Sequence, residues 1–183
     1  MKKYFAIAIC CIAMIFSACT KPEDTVNEQF LGNYSGKLVT RSTITFPWDS
    51  ESDISDMNLT MSLVAGEQDN QVVANCTAYG QNFTMTGTVN DGTITFASAT
   101  ITAAASEILN AAFLNQFPNL SNVADATVTM TFDYTATLMH DEFLNKDFLY
   151  LDGKTNGNLT VKILGLPVTC PIRGTSIGRV NKQ

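Results

Sequence analysis

The sequence predicts an all-β protein with one short helix. Its architecture is an antiparallel barrel of about eight or nine strands or, as the alternative, a β-sandwich. Three observations predict this. Apolar and polar residues alternate with a period of two in several segments, as in Met57-Asn58-Leu59-Thr60-Met61-Ser62-Leu63, the pattern of a half-buried strand. The polar positions are dominated by threonine, which suits a pleated surface that stays wet. Hairpin punctuation falls between the segments, at Glu67-Gln68-Asp69-Asn70, Asn90-Asp91-Gly92, Asp152-Gly153 and Asn156-Gly157. Strands joined by such short turns pair antiparallel.

The strands are expected at about 33–46, 57–65, 71–80, 82–90, 92–101, 126–139, 146–152, 157–164 and 167–174. In the fourth, Phe83, Met85 and Val89 oppose Thr84, Thr86 and Thr88. Ile94 and Phe96 oppose Thr93 and Thr95 in the fifth. In the sixth, Val128, Met130, Phe132, Tyr134 and Leu138 oppose Thr127, Thr129, Thr131, Asp133, Thr135 and Thr137. Leu159, Val161 and Ile163 oppose Thr160 and Lys162 in the eighth. One segment breaks the rhythm. Ala103 to Phe117 is rich in helix formers and ends at Pro118, with Ala105, Leu109, Ala112, Phe113 and Phe117 at helical spacing. It predicts a short helix over an open end or edge of the sheet, as a plug on the core or a lid on a cavity.

Lys2 and Lys3 precede an apolar run from Phe5 to Phe16, and Phe16-Ser17-Ala18 leads into Cys19. A charged start, a short apolar core and small residues at a cut site make a secretory signal. The run is too short for a membrane span, which needs ~20 residues as a helix. The segment resembles the signal of bacterial lipoproteins, in which cleavage leaves the cysteine as an acylated amino terminus. That resemblance implies residues 1–18 as signal peptide, residues 19–29 as a lipidated flexible linker and residues 30–183 as a single β-domain. It also implies membrane lipid as a partner through Cys19 and a place at the outer membrane of a Gram-negative envelope, on its periplasmic or cell-surface face. Several acyl chains together anchor durably. Thr20 to Glu28 is polar and Pro-containing and reads as the leash.

Eleven Lys and Arg face 17 Asp and Glu, and signal cleavage removes Lys2 and Lys3. Without a cluster of basic residues, nucleic acid is not an expected partner. Beyond the signal and Cys19, only Cys76 and Cys170 remain. In an oxidising compartment they form either a disulfide closing a long loop or two small buried thiols. Two cysteines and His140, none at metal spacing, do not make a metal site, and no cofactor is expected.

Gly174-Thr175-Ser176-Ile177-Gly178 matches the nucleophile-elbow pattern letter for letter. An elbow needs a following helix and a downstream acid and histidine. The chain ends five residues later and its single histidine, His140, lies upstream. The match reads as chance, with glycines loosening a tail. His140-Asp141-Glu142 reads as a charged turn, since neighbours on an extended chain point to opposite faces. The sequence predicts no enzyme.

What remains is the inward face, where Met57, Met61, Phe83, Met85, Phe96, Met130, Phe132 and Tyr134 fall together. Methionine adapts to varied apolar ligands, and a barrel of about eight strands holds either side chains or one small ligand. These eight are the candidate ligand-binding set, and the alternative is a packed core.

Leu31-Gly32-Asn33-Tyr34-Ser35-Gly36 resembles the opening of the lipocalin-like, or calycin, barrels, in which Gly-x-Trp begins the first strand. Here Tyr34 stands for the Trp. Arg173, near the end, sits where that family places an arginine against the aromatic, and Asp133-Tyr134 echoes a middle motif. The resemblance implies neighbouring first and last strands, a barrel-closing cation–π pair of Tyr34 and Arg173, and a small apolar or amphipathic ligand in the barrel mouth. The expected function is therefore a non-catalytic, outer-membrane-anchored lipoprotein with a ligand-binding barrel. The alternative is a structural or interaction module of a cell-envelope protein complex with a filled core.

Overall fold

The computed structural model describes residues 28–115, 125–163 and 165–183. The signal, Cys19, most of the linker and Phe117-Pro118 lie outside the described residues. Among the described residues nine strands form one wholly antiparallel sheet: β1 (Gly32–Thr45), β2 (Ser50–Ala65), β3 (Gln71–Ala78), β4 (Gln81–Asn90), β5 (Thr93–Phe96), β6 (Ala99–Ala104), β7 (Thr127–Asp141), β8 (Lys146–Ile163) and β9 (Leu166–Lys182). Their order is β5-β4-β3-β2-β1-β9-β8-β7-β6, and β5 also pairs with β7. Eight strands therefore run in a closed ring of hydrogen-bonded neighbours. The expected all-β, antiparallel class is what the chain adopts.

Alternation decides which side of each strand is dry. Along β2 every second residue from Asp53 to Leu63 is buried while its neighbours are exposed or half-buried, and β7 repeats the pattern from Val128 to Ala136. The inward residues make one continuous core. First and last strands are neighbours, with Tyr34 opposite Lys182 and Ile44 opposite Ile172. β9 carries Pro167 and Pro171, both beyond the stretch paired to β1. Proline is tolerated there because that side of the strand has no ladder to donate to.

Several boundaries differ from expectation, each for a physical reason. The segments at 146–152 and 157–164 are one strand, because Gly153 and Gly157 are ladder positions facing Tyr134 and Met130 on β7. A Cβ on Gly153 would collide with the Tyr134 ring and the Asp133 carbonyl, so the glycine serves close approach and not a turn. The stretch at 92–101 is two strands laid end to end along β7, broken at Ala97-Ser98. The Ser98 hydroxyl donates there to the Asp133 carboxylate. β9 runs on to Lys182, so residues 174–178 are mid-strand and not a loosened tail.

The single expected helix is two short ones. Ala103 and Ala104 stay in β6, paired with Val128 and Thr127. α1 (Ala105–Ile108) and α2 (Ala111–Asn115) follow, separated by an extended Leu109. Asn110 explains the break. Its side-chain oxygen accepts the Ala112 N–H at 2.8 Å and caps α2. Its backbone N–H donates to Asp53 Oδ1 at 3.2 Å, and its Nδ2 donates to the Ile54 carbonyl at 3.1 Å. Ile108, Leu109, Phe113 and Leu114 are buried, and Phe113 stacks on Phe46 beside the β1–β2 turn. The helical pair thus closes the end of the ring where that turn lies. Glu28–Phe30, a 3-10 turn, enters at the opposite end, where the Tyr34 hydroxyl donates to the Phe30 carbonyl at 2.8 Å.

Candidate functional site

The eight residues expected to line an apolar ligand site do share the inner face. Met57, Met61, Met85, Phe96, Met130, Phe132 and Tyr134 are each at most 5% exposed. Phe83 is half-buried against them. Their rings stack in a row, with Phe83 to Phe132 at 6.3 Å and Phe132 to Tyr134 at 5.6 Å between centroids. All eight belong to or pack against one continuous buried cluster, and the arrangement is that of packed core. Met61 also reaches a groove of about 400 Å³, but that groove opens on the outer side of β1–β3 among short polar side chains such as Asn33, Ser62 and Asn75.

The Tyr34–Arg173 pair is not made. Arg173 lies opposite Thr43, nine positions along β1 from Tyr34. The cation near the Tyr34 ring is Lys182, at 5.9 Å, which also donates to the Gln29 carbonyl at 2.9 Å. The reason is strand length: β9 continues to Lys182, so the residue level with Tyr34 comes later than Arg173. Burial pushes the Tyr34 phenol up to about 12, aided by the Asp147 carboxylate. Cys76 and Cys170 are free and buried, on β3 and β9, which are not neighbours. The disulfide is therefore not formed, and the small-buried-thiol alternative describes both. Burial raises the Cys76 thiol to about 12, which leaves it unreactive at neutral pH.

The strand registers bring together a polar belt that sequence reasoning did not find. One lateral row runs Ser55-Thr40-Ser176-Gly153-Tyr134 across β2, β1, β9, β8 and β7. The next runs Asp53-Ser42-Gly174-Thr155-Phe132 across the same strands. Thr40, Ser42, Asp53, Ser55, Thr155 and Ser176 are all buried. The Thr40 and Ser176 hydroxyls share a hydrogen bond of 2.7 Å. The Tyr79 hydroxyl lies beside Thr40 and Ser55, and that of Tyr134 beside Ser176. Neither makes a hydrogen bond of good geometry, and Asp53 Oδ2 and Thr155 Oγ1 also lack one. Burial raises the Asp53 carboxyl above its usual range, opposed by the Asn110 N–H and Ser55. The available signal was the alternation itself: inward positions Thr40 and Ser42 interrupt Leu38 and Ile44.

Ser176 sits in this belt, mid-strand, and β9 continues past it to Lys182. It is not on an elbow, and the nucleophile pattern is a coincidence of letters. His140 lies at the end of β7, its Nδ1 2.7 Å from Asp147 Oδ1. Asp141 Oδ1 accepts the Phe143 and Leu144 N–H groups at 3.1 and 3.0 Å. Its Oδ2 accepts Arg179 Nη1 at 2.7 Å, and these hold its carboxyl below the usual range. These two acids and the histidine shape the β7–β8 turn.

On the outer wall, Val39 pairs directly with Ile177, and Tyr150 and Met139 continue the strip along β8 and β7. All four are at least 36% exposed. Among the described residues no helix is long and apolar enough to cross a membrane, and none of their acidic, histidine and cysteine side chains group as a metal site.

No protein-family model and no curated protein matches the chain. Among solved structures, it is similar to a multidomain protein including DUF1735 from Bacteroides ovatus. The TM-score is 0.32 and the identity 11%, over 82% of this chain and 51% of that one. The chain thus spans about half the length of that structure.

Proposed function

We propose that this chain is a non-catalytic lipoprotein of a Gram-negative outer membrane, held by acylated Cys19. Its β-domain serves as an interaction module of a cell-envelope protein complex and works through its outer wall. The observation that carries this reading is the filled interior: seven of the eight side chains expected to line an apolar site are at most 5% exposed and belong to one continuous buried cluster. The Val39, Ile177, Tyr150 and Met139 strip supports the outer wall as the working surface. A photo-reactive residue at Ile177 in the full chain, in the envelope of the cell that makes it, is expected to capture one protein. The same probe at Thr84, on the far wall, is expected to capture none. Equal labelling from both positions contradicts the reading.

A further inference from the structure

We infer that the tip of the β7–β8 hairpin is a membrane-seating element, and that Phe143 and Leu144 enter the interfacial layer of the bilayer to which the chain is tethered. This rests on the lipid anchor proposed above. Phe143 is 98% exposed and Leu144 59%. An aromatic side chain left wholly in water forgoes the burial that usually stabilises it, and nothing in the domain covers this one.

The tip is held out and does not dangle. Asp141 accepts both backbone N–H groups of Phe143 and Leu144 and is itself fixed by Arg179. The Arg179 guanidinium lies 3.8 Å over the Phe148 ring at the hairpin's base. Asn145, with φ of +48°, closes the turn. The hairpin also overhangs its neighbour. β5 begins opposite Thr137, whereas β7 continues to Asp141. At a rise of ~3.4 Å per residue that is an overhang of about 14 Å past the start of β5.

The occupant follows from where the tether enters. The 3-10 turn Glu28–Phe30 joins the domain at the same end as this hairpin: the Phe30 carbonyl accepts from Tyr34 and the Gln29 carbonyl from Lys182, one level from the Phe148–Asn181 pair. Trp48 and the helical pair are at the other end. From Cys19 to Glu28 the chain spans at most ~30 Å when fully extended, so the anchor holds this end close to lipid. Glu142 and Lys146 flank the apolar pair with opposite charges, which suits a zwitterionic surface. Aromatic side chains favour that interfacial layer.

The native chain has one tryptophan, Trp48, which serves as a far-end reporter. The test uses the full acylated chain on phosphatidylcholine vesicles carrying brominated acyl chains, compared with the variant W48F/F143W. The tip tryptophan is expected to lose at least half its fluorescence and shift to the blue, while Trp48 in the unaltered chain keeps its intensity. Vesicle-bound protein with an unquenched tip overturns the inference and leaves the anchor standing. Quenching at both ends overturns the orientation. Protein that does not float with the vesicles overturns the anchor, and the inference with it.

Discussion

Asp53 is a buried carboxyl whose protonation is linked to folding. Its carboxyl is raised by burial, so the folded chain binds that proton more tightly than the unfolded chain does. The linkage sign follows. The stability from the protonated form is full below the ordinary carboxylate pKa and is lost as pH rises through the raised value. Asp53→Asn is expected to remove that decline. The difference in Tm between wild type and variant, followed from pH 3 to 8, should favour the variant increasingly as pH rises. A second residue-scale test is Gly153→Ala, which drives a methyl into the Tyr134 ring and the Asp133 carbonyl. Overpacking of this kind costs about 1–3 kcal/mol, readable as a lower urea midpoint. Neither role was legible in the sequence. Asp152-Gly153 carries a hairpin signature, and only the partner strand shows that the glycine makes room for a ring. Asp53 lies before the stretch where alternation of apolar residues begins at Met57, and its inward position depends on β2 starting at Ser50.

Among the elements, the strands were the most legible because threonine and apolar residues alternate cleanly in β2, β4 and β7. Their ends were not, because a ladder continues as long as its neighbour does. β9 outruns its apolar pattern since β8 pairs with it up to Asn181 and β1 up to Lys182. The helix was legible in composition and misplaced in detail. Helix propensity favours an unbroken run from Ala103 (Ala, Leu and Glu rank high), but strand pairing holds Ala103-Ala104 and Asn110 turns the chain to meet Asp53. Asn110→Ala removes the α2 cap and the bond to Ile54. It is expected to lower stability by about 1 kcal/mol, within the usual 0.5–2 for a lost cap, and to speed proteolysis between Ala105 and Asn115. Retention of wild-type protection in that segment contradicts the role given to Asn110.

At the scale of the molecule, closure through β5 and β7 turns a sheet into a ring and leaves side chains to fill it. The all-β class followed from pattern, since antiparallel neighbours with one dry face have few ways to hide it, whereas the adjacency of first and last strands was implied only by the barrel resemblance. The interior was less legible: an inward methionine reads alike whether it lines a cavity or fills one. The cysteines illustrate the same limit, because pairing is decided by whether the fold brings the two thiols within bonding reach. With both free, a reducing agent is expected to leave Tm unchanged, and a drop of several degrees would indicate a bond between them. The central claim is that the ring is filled and the outside does the work. Native mass spectrometry of the acylated chain, released gently from its own envelope, tests it most directly. The account predicts the acylated mass alone or joined to a second protein. A retained apolar small molecule, lost in Met130→Trp, would contradict it.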